Sequence, residues 1–259
     1  MYAMLGSRPD IAYAVAKVSQ YSTNPDVAHW TAVKRIFTYL AGTPHRGLLY
    51  GKLGEGTGYT DADRGRGDDR KSVGGWVFLL NGAAISWNSK KQSTVALSST
   101  EAVYMALTPA VKQSLWLQGL LCDVEAIRHS EELQNIKVDN QGAIALARNA
   151  EFHARTKHID IQYHFVREYV ENRKIQLHYR PTSDMTADIF TKALPQPSFI
   201  KHSIGLGLID HSAFLLQHTD MSGEFPFDAY PESNNIYEEE LDGSTGEGWY
   251  CDSPVLTVT

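Results

Sequence analysis

The sequence predicts an α/β protein of the mixed α+β kind, with a five-stranded mixed sheet flanked by helices and preceded by a helical pair. Two apolar runs flank Asn81-Gly82, a dipeptide that strongly favours a two-residue hairpin turn. Apolar residues then recur at helical spacing through a long segment that begins near Glu101. Strand-like and helical runs alternate after that segment. Such alternation predicts that parallel strands join the antiparallel hairpin.

The first fifty residues predict two helices. Pro9 suits the first turn of the first helix, in which Ile11, Val15 and Val18 share one face. In the second helix, Asn24 is the predicted cap and Pro25 the predicted first helical residue. The apolar stripe of this helix is predicted to consist of Trp30, Val33, Phe37 and Leu40. The sequence indicates no core formed by these two helices alone, so they should pack on a partner. That partner is not necessarily part of this chain.

The middle of the chain predicts three strands and a long helix. The segments TGYTDAD (57–63), GGWVFLL (74–80) and AAISW (83–87) have the residue types of strands. The helix begun near Glu101 contains Pro109, which should kink it because the ring clashes with the carbonyl of Met105.

The next segments alternate between strands and helices. Residues 136–139 and 175–179 predict the fourth and fifth strands. Helices are predicted at 141–149, at 157–173 and, as a short final element, at 184–193. This order completes the predicted mixed sheet.

Charge is distributed unevenly along the chain, whose formal net charge is −6. Residues 206–259 hold eleven Asp and Glu but no Lys or Arg, which leaves 24 basic against 19 acidic residues in 1–205, a net charge of +5. A mildly basic body permits polyanion binding without establishing it. The sequence contains no apolar run of membrane-spanning length and no secretory signal at its N-terminus. We therefore expect a helical segment at 1–50, a main domain at 51–207 and an acidic, disordered tail at 208–259.

Four carboxylates lie on four different predicted elements: Asp61, Glu101, Asp139 and Asp188. Carboxylates brought together repel one another unless cations neutralise them, and hard oxygen ligands suit Mg²⁺ or Mn²⁺. Two such ions about 4 Å apart can promote phosphodiester hydrolysis. Each acid also has an ordinary explanation, as a turn residue, a helix-start residue, a strand-end cap or a solvated helix residue. Spacing alone does not decide between these alternatives.

Several motifs resemble one family in their order along the chain. They are YTDAD, AISWNSKKQSTVALSSTEAVYMAL, VDNQGAIALA, RTKHIDIQYHFVRE and PTSDMTADIFTKAL. Together they resemble the ribonuclease H domain of copia-type LTR retrotransposon Pol polyproteins. RPDIAYAV and HWTAVKRIFTYLAGT resemble the end of the adjoining reverse transcriptase region. The resemblance spans about Ser7 to Leu206.

The resemblance implies a ribonuclease H-like fold and metal-dependent endonucleolytic cleavage of the RNA strand of RNA–DNA hybrids, with two Mg²⁺ ions that Mn²⁺ can replace. Asp61, Asp139 and Asp188 match the first, third and fourth acids of this family. Relatives commonly carry two Glu in the second motif, and only Glu101 survives here, while Val103 lies at the position expected of the catalytic Glu. We predict catalytic and metal-binding roles for Asp61, Glu101, Asp139 and Asp188.

Five further residues are assigned tentative roles. Lys90 and Lys91 could contact phosphates, or they could lie in a solvated loop. Asn140 and Gln141 could contact the 2′-hydroxyl of RNA, with helix capping as the alternative. His178 could assist proton transfer, although alignment of the Pro-Thr step places Tyr179 where relatives often have His.

Three departures from the family pattern leave enzymatic activity open: Val103, Arg64 in place of a usual Trp, and Pro109 within the helix that carries Glu101. The alternative is a catalytically inactive nucleic-acid-binding or interaction remnant of a degenerate retrotransposon. An integrase-type nuclease is a third possibility, but integrases place a Glu last, whereas this order ends on Asp188. Expected partners are an RNA–DNA hybrid and the reverse transcriptase part of Pol, which this chain lacks. The expected location is intracellular: the cytoplasm, virus-like particles or the nucleus.

Overall fold

A mixed five-stranded sheet forms the centre of the molecule, as predicted. The computed structural model describes residues 1–51, 56–65, 69–124, 133–148 and 157–211, with side chains from 162 onward in the last range. In chain order the strands are β1 (Arg46–Leu48), β2 (Thr57–Ala62), β3 (Val73–Leu80), β4 (Ala83–Lys91), β5 (Asn135–Val138), β6 (Gln176–Tyr179) and β7 (Leu208–Asp210). The central sheet has the order β4-β3-β2-β5-β6. Its first three strands are antiparallel, whereas β5 runs parallel to both β2 and β6.

Helices cover both faces of this sheet. They are α1 (Tyr2–Gly6), α2 (Ala12–Ser19), α3 (Val27–Gly42), α4 (Ser99–Asp123), α5 (Gln141–Arg148), α6 (Lys157–Glu171) and α7 (Gln196–Gly205). Trp76 and Phe78 of β3 lie in one apolar cluster with α4, α5 and α6. Val77, between them, lies on the opposite face in a second cluster that includes Phe190 and Phe199. This alternation along β3 separates the two cores.

The β3–β4 hairpin and the start of α4 follow the predictions from local sequence. Asn81 and Gly82 both have positive φ, of 51° and 86°, as a two-residue hairpin turn of the primed type requires. The Ser98 side chain caps α4 by accepting a hydrogen bond from the Glu101 N–H at 3.1 Å. The helix is 25 residues long and continues through Pro109.

The N-terminal helices differ from the prediction in their details. The cap of α3 is Asp26, whose side chain and backbone form a reciprocal capping box with His29, so Asn24 and Pro25 lie outside the helix. Its buried residues are Ala32 and Ile36, whereas Trp30 and Phe37 of the predicted stripe are 61% and 66% exposed. The predicted stripe was therefore wrong for Trp30 and Phe37, whereas Leu40 does pack against the apolar cluster that α3 shares with α2.

The helical pair packs on the sheet of the same chain. The Trp87 indole on β4 donates a hydrogen bond to the Met4 carbonyl at 2.8 Å, and Ala12 belongs to the apolar cluster of Phe190. Arg8 forms a buried ion pair with Asp10 at 2.8 Å, and the Tyr39 hydroxyl donates to the same carboxylate. The surface on which the helical pair packs, which the sequence did not identify, thus includes one face of the central sheet.

The C-terminal part contains elements that the sequence did not predict. The predicted helix at 184–193 is instead a pair of 3₁₀ segments, Thr182–Asp184 and Thr186–Phe190. Helix α7 follows, and β7 pairs with β1 in a separate two-stranded sheet. Leu208–Asp210, assigned from sequence to the tail, therefore form a strand, and 212–259 lie outside the described residues. Across the described ranges, none of the helices is both long enough and apolar enough to cross a membrane.

Candidate metal centre

Two neighbouring parallel strands place the first two acids at one edge of the sheet. Thr60 of β2 and Val138 of β5 are register partners, and the next residues along the two strands are Asp61 and Asp139. Parallel strands that run in register bring successive residues forward together. The two carboxylates therefore lie next to each other, although 78 positions separate them in the chain.

The third acid comes from the 3₁₀ segment Thr186–Phe190, which lies against β2 and β3. Asp188, Asp61 and Asp139 each offer one carboxylate oxygen, and these three oxygens lie within 4.8 Å of one another. Asp61 and Asp188 are only 3% and 4% exposed, and Asp139 is half-buried. This trio is called the aspartate triad below.

Gly75 allows the 3₁₀ segment to approach the sheet. It is the register partner of Asp61 on β3, and a Cβ atom built on it would lie 2.5 Å from Phe190 Cβ and 3.0 Å from Thr191 Cγ2. Real Cβ atoms do not approach other carbons so closely. Glycine at this position therefore brings the segment that carries Asp188 down onto the strand beside Asp61.

Hydroxyl groups and one lysine hold the triad in place. Thr191 Oγ1 donates to Asp61 Oδ2 at 2.8 Å, and Thr182 Oγ1 donates to Asp139 Oδ2 at 2.8 Å. Lys192 Nζ lies 2.8 Å from Asp188 Oδ2 and 3.7 Å from Asp61 Oδ2. Two of the three carboxylates thus share one ammonium group.

The electrostatics of the triad reflect both burial and mutual repulsion. Burial, followed by the charge of Asp61, raises the pKa of Asp188 to about 7. The same two causes raise the pKa of Asp139. Burial lowers the pKa of Lys192, but the negative charges of Asp61, Asp188 and Asp139 outweigh it and the net shift is upward. The site therefore favours a bound positive charge.

The donor set of the triad fits a divalent cation. Asp188 Oδ1 is buried, and none of the described residues donates a hydrogen bond to it. A buried carboxylate oxygen without a donor is costly unless something else satisfies it. Hard oxygen ligands, one from each aspartate, suit Mg²⁺ or Mn²⁺. The triad could hold such an ion, with remaining positions open to water or a phosphate oxygen.

Glu101 is not among the described carboxylates that meet at the triad. Its Oε2 accepts a hydrogen bond from the Leu97 N–H at 2.7 Å, across the first turn of α4. Its charge, after burial, raises the pKa of the nearby Tyr163 hydroxyl. The helix-start interpretation therefore accounts for its contacts. Val103, two residues on, is 3% exposed within the apolar cluster of Trp76 and Leu107.

The lysines predicted to contact nucleic acid are in strand β4 rather than in a loop. Lys91 forms an ion pair with Asp69 at 2.8 Å and donates to Gln20 at 3.0 Å. Lys90 is exposed. Arg64, where the resemblance leads us to expect Trp, is exposed as well. A phosphate-contacting role thus stays a prediction, with Lys90 the more accessible of the two lysines.

The remaining predicted residues have local structural contacts. Asn140 Oδ1 accepts from the Ala143 N–H at 2.9 Å, a cap at the start of α5, and Gln141 is exposed. His178 Nε2 lies 3.0 Å from Asn135 Oδ1, at the first residue of β5. Asp139 follows the last residue of that strand, roughly 13 Å further along it. The geometry gives no support to proton transfer by His178 at the triad.

Sequence reasoning missed the residues that assemble the site. Gly75, Thr182, Thr191 and Lys192 all contact the triad or make room for it. A signal was present for Lys192, because a cation four residues after Asp188 is a spacing that favours an ion pair in a helical segment. For Gly75 the signal was a glycine pair at the start of an otherwise apolar strand.

The fold and the triad define a mixed α/β protein with a candidate divalent-cation centre. No family model matches the chain. It is 45% identical over 201 residues, 77% of its length, to the retrovirus-related Pol polyprotein from transposon TNT 1-94 of Nicotiana tabacum. It is 39% identical over 206 residues, 78% of its length, to the corresponding polyprotein from transposon RE2 of Arabidopsis thaliana.

The chain spans only about 15% and 14% of the lengths of these two polyproteins. A shorter match, 48% identical over 120 residues, covers 45% of this chain and 84% of secreted RxLR effector protein 161 of Plasmopara viticola. The longer matches decide the relationship, because they include more than three-quarters of the chain. Over more than three-quarters of its length, the chain is homologous to the retrovirus-related Pol polyproteins of copia-type transposons.

Proposed function

We propose that this chain is a ribonuclease H domain that hydrolyses the RNA strand of RNA–DNA hybrids with the help of divalent metal ions. The convergence of Asp61, Asp139 and Asp188 from three separate elements carries the proposal. The mixed sheet is compatible with a ribonuclease H-like fold, and the homology to Pol polyproteins supports a setting in which such hybrids arise.

The aspartates of the triad would hold the metal from different elements of the fold. Asp61 and Asp139 would hold a divalent ion from the sheet edge, and Asp188 would hold it from the 3₁₀ segment above. A bound ion supplies activation of the attacking water and stabilisation of the leaving oxygen. Thr191 and Thr182 fix two of the carboxylates, so the ligands need little reorganisation when the hybrid binds. Hybrid binding would be weak, because the body carries only a modest positive charge, and it would fall with salt, because phosphate contacts release counter-ions.

The test is cleavage of a labelled RNA–DNA hybrid by the purified chain in Mg²⁺ or Mn²⁺. The Asp139→Asn variant removes a triad ligand, and Asp184→Asn is the matched control, since Asp184 pairs with Lys201 outside the triad. We expect metal-dependent cleavage of the RNA strand that Asp139→Asn abolishes and Asp184→Asn retains. Cleavage that survives Asp139→Asn, or no cleavage by the unmodified chain, contradicts the proposal.

A second candidate is a catalytically inactive nucleic-acid-binding remnant. The second acidic motif favours this candidate. The Glu101 carboxylate accepts a hydrogen bond from the Leu97 N–H, and the residue at the position that the resemblance assigns to the catalytic Glu is the buried, apolar Val103. Hybrid binding without turnover in either metal would support this candidate. Metal-dependent turnover that is lost in Asp139→Asn would exclude it.

A further inference from the structure

The Lys192 ammonium lies among the carboxylates that would bind the metal. Its Nζ is 2.8 Å from Asp188 Oδ2 and 3.7 Å from Asp61 Oδ2. The two acids are almost completely buried, whereas the lysine side chain is 37% exposed. The lysine therefore reaches the buried acids from the solvent-exposed surface.

Charge balance explains why a cation is needed there. Three carboxylates within 4.8 Å of one another repel strongly in a poorly solvated site. The threonine hydroxyls compensate only part of this repulsion, because they are neutral donors. Lys192 Nζ is the only cationic group described within ion-pair distance of Asp61 or Asp188. It follows Asp188 by four residues, so the same local segment supplies both the third acid and its counter-ion.

We propose that Lys192 is a built-in cation of the triad, which stabilises the metal-free fold and competes with divalent ions for Asp61 and Asp188. This inference rests on the proposed metal site. An ammonium and a divalent ion cannot share the same carboxylate oxygens at 2.8 Å and about 2.1 Å without close repulsion. The flexible four-carbon stem and the exposure of Lys192 let the ammonium swing away when an ion enters.

The experiment compares the full chain with Lys192→Met, which keeps an unbranched apolar side chain of nearly the same length and removes the ammonium group. Lys201→Met is the matched control, because Lys201 Nζ pairs at 2.8 Å with Asp184 outside the triad. Two quantities are measured for each protein: the thermal midpoint in EDTA and the Mn²⁺ dissociation constant by titration calorimetry. Hybrid cleavage is assayed separately.

We expect Lys192→Met to lower the metal-free Tm by about 3 to 8 °C, because the triad loses its counter-ion. We also expect it to bind Mn²⁺ about tenfold more tightly than the unmodified chain, since the competing charge is gone. Lys201→Met should leave the Mn²⁺ dissociation constant unchanged. Equal or weaker Mn²⁺ binding by Lys192→Met would overturn the inference, as would a failure of both proteins to bind Mn²⁺.

Two further outcomes are also decisive. If Lys192→Met does not fold in EDTA, refolding in Mn²⁺ becomes the measurement: recovery supports a counter-ion role, and failure in Mn²⁺ contradicts it. If Lys192→Met binds Mn²⁺ more tightly but the unmodified chain cleaves no hybrid, the competition stands and only the proposed nuclease function fails.

Discussion

Replacing Gly75 with alanine would place a methyl group between β3 and the segment that carries Asp188. The added Cβ would lie 2.5 Å from Phe190 Cβ and 3.0 Å from Thr191 Cγ2. Carbon atoms in contact normally lie about 3.5 to 4.0 Å apart, so the overlap is about 1 Å or more. Backbone and Cβ atoms form most of this contact, and they cannot rotate away. The 3₁₀ segment must therefore move off the sheet by a comparable distance.

This displacement has two measurable consequences. Overpacking of this kind costs about 1 to 3 kcal/mol, which corresponds to a fall in Tm of about 2 to 10 °C for a domain of this size. Moving Asp188 and Thr191 by about 1 Å separates Asp188 from Asp61, and we expect Mn²⁺ to bind at least about tenfold more weakly. Calorimetric titration and thermal melts of the full chain in EDTA measure both effects.

Gly74→Ala is the matched control on the opposite face of the same strand. Its Cβ would lie 3.1 Å from Ala106 Cβ on α4, away from the triad. We expect it to lower Tm while leaving the Mn²⁺ dissociation constant within about twofold of the unmodified value. If Gly75→Ala binds Mn²⁺ as tightly as Gly74→Ala does, the argument that Gly75 positions the triad is refuted.

Three further predictions concern single side chains. In EDTA, the raised pKa of Asp188 means that the folded chain binds a proton that the unfolded chain does not, so this residue makes stability fall as pH rises from about 4 to about 7. Asp188→Asn should flatten that part of the Tm–pH curve, and an unchanged slope would contradict the assignment. Arg8→Met leaves the buried Asp10 carboxylate without its ion-pair partner and should cost about 3 kcal/mol in urea unfolding. The double variant with Asp10→Asn should recover part of this loss, and simple additivity would argue against the pair. Glu101→Gln should change Mn²⁺ affinity by less than about twofold and lower stability by about 0.3 to 1 kcal/mol, because the amide oxygen can still accept from the Leu97 N–H while the negative charge at the start of α4 is lost. A large loss of Mn²⁺ binding would place Glu101 at the triad.

Local sequence was sufficient wherever a structure depends on neighbouring residues. The Asn81-Gly82 turn follows from the left-handed backbone that these two residues tolerate, and the start of α4 follows from the Ser98 cap. The strand at 57–62 and the first hairpin strand lie where their residue types predict them, and the second hairpin strand begins as predicted but continues to Lys91. In each case the interacting groups are a few residues apart, so the pattern contains the information.

Tertiary packing explains the elements for which the prediction from sequence was wrong. The predicted apolar face of α3 is exposed at Trp30 and Phe37, because Ala32 and Ile36 make the contact with α2 instead. The last predicted helix is instead a 3₁₀ segment, because it packs closely against β2 and β3 at Gly75. Neither outcome can be inferred from periodicity, which identifies apolar residues but not the surface that they meet.

The sequence by itself determined the mixed sheet, the four candidate acids and, through its motifs, the relationship to Pol polyproteins. The tertiary structure decided which acids share a site: Asp61, Asp139 and Asp188 meet, and Glu101 turns to its own helix start. The physical reason is distance along the chain. Thr191 and Asp61 form a hydrogen bond across 130 positions, and only strand register and the close approach at Gly75 bring such residues together.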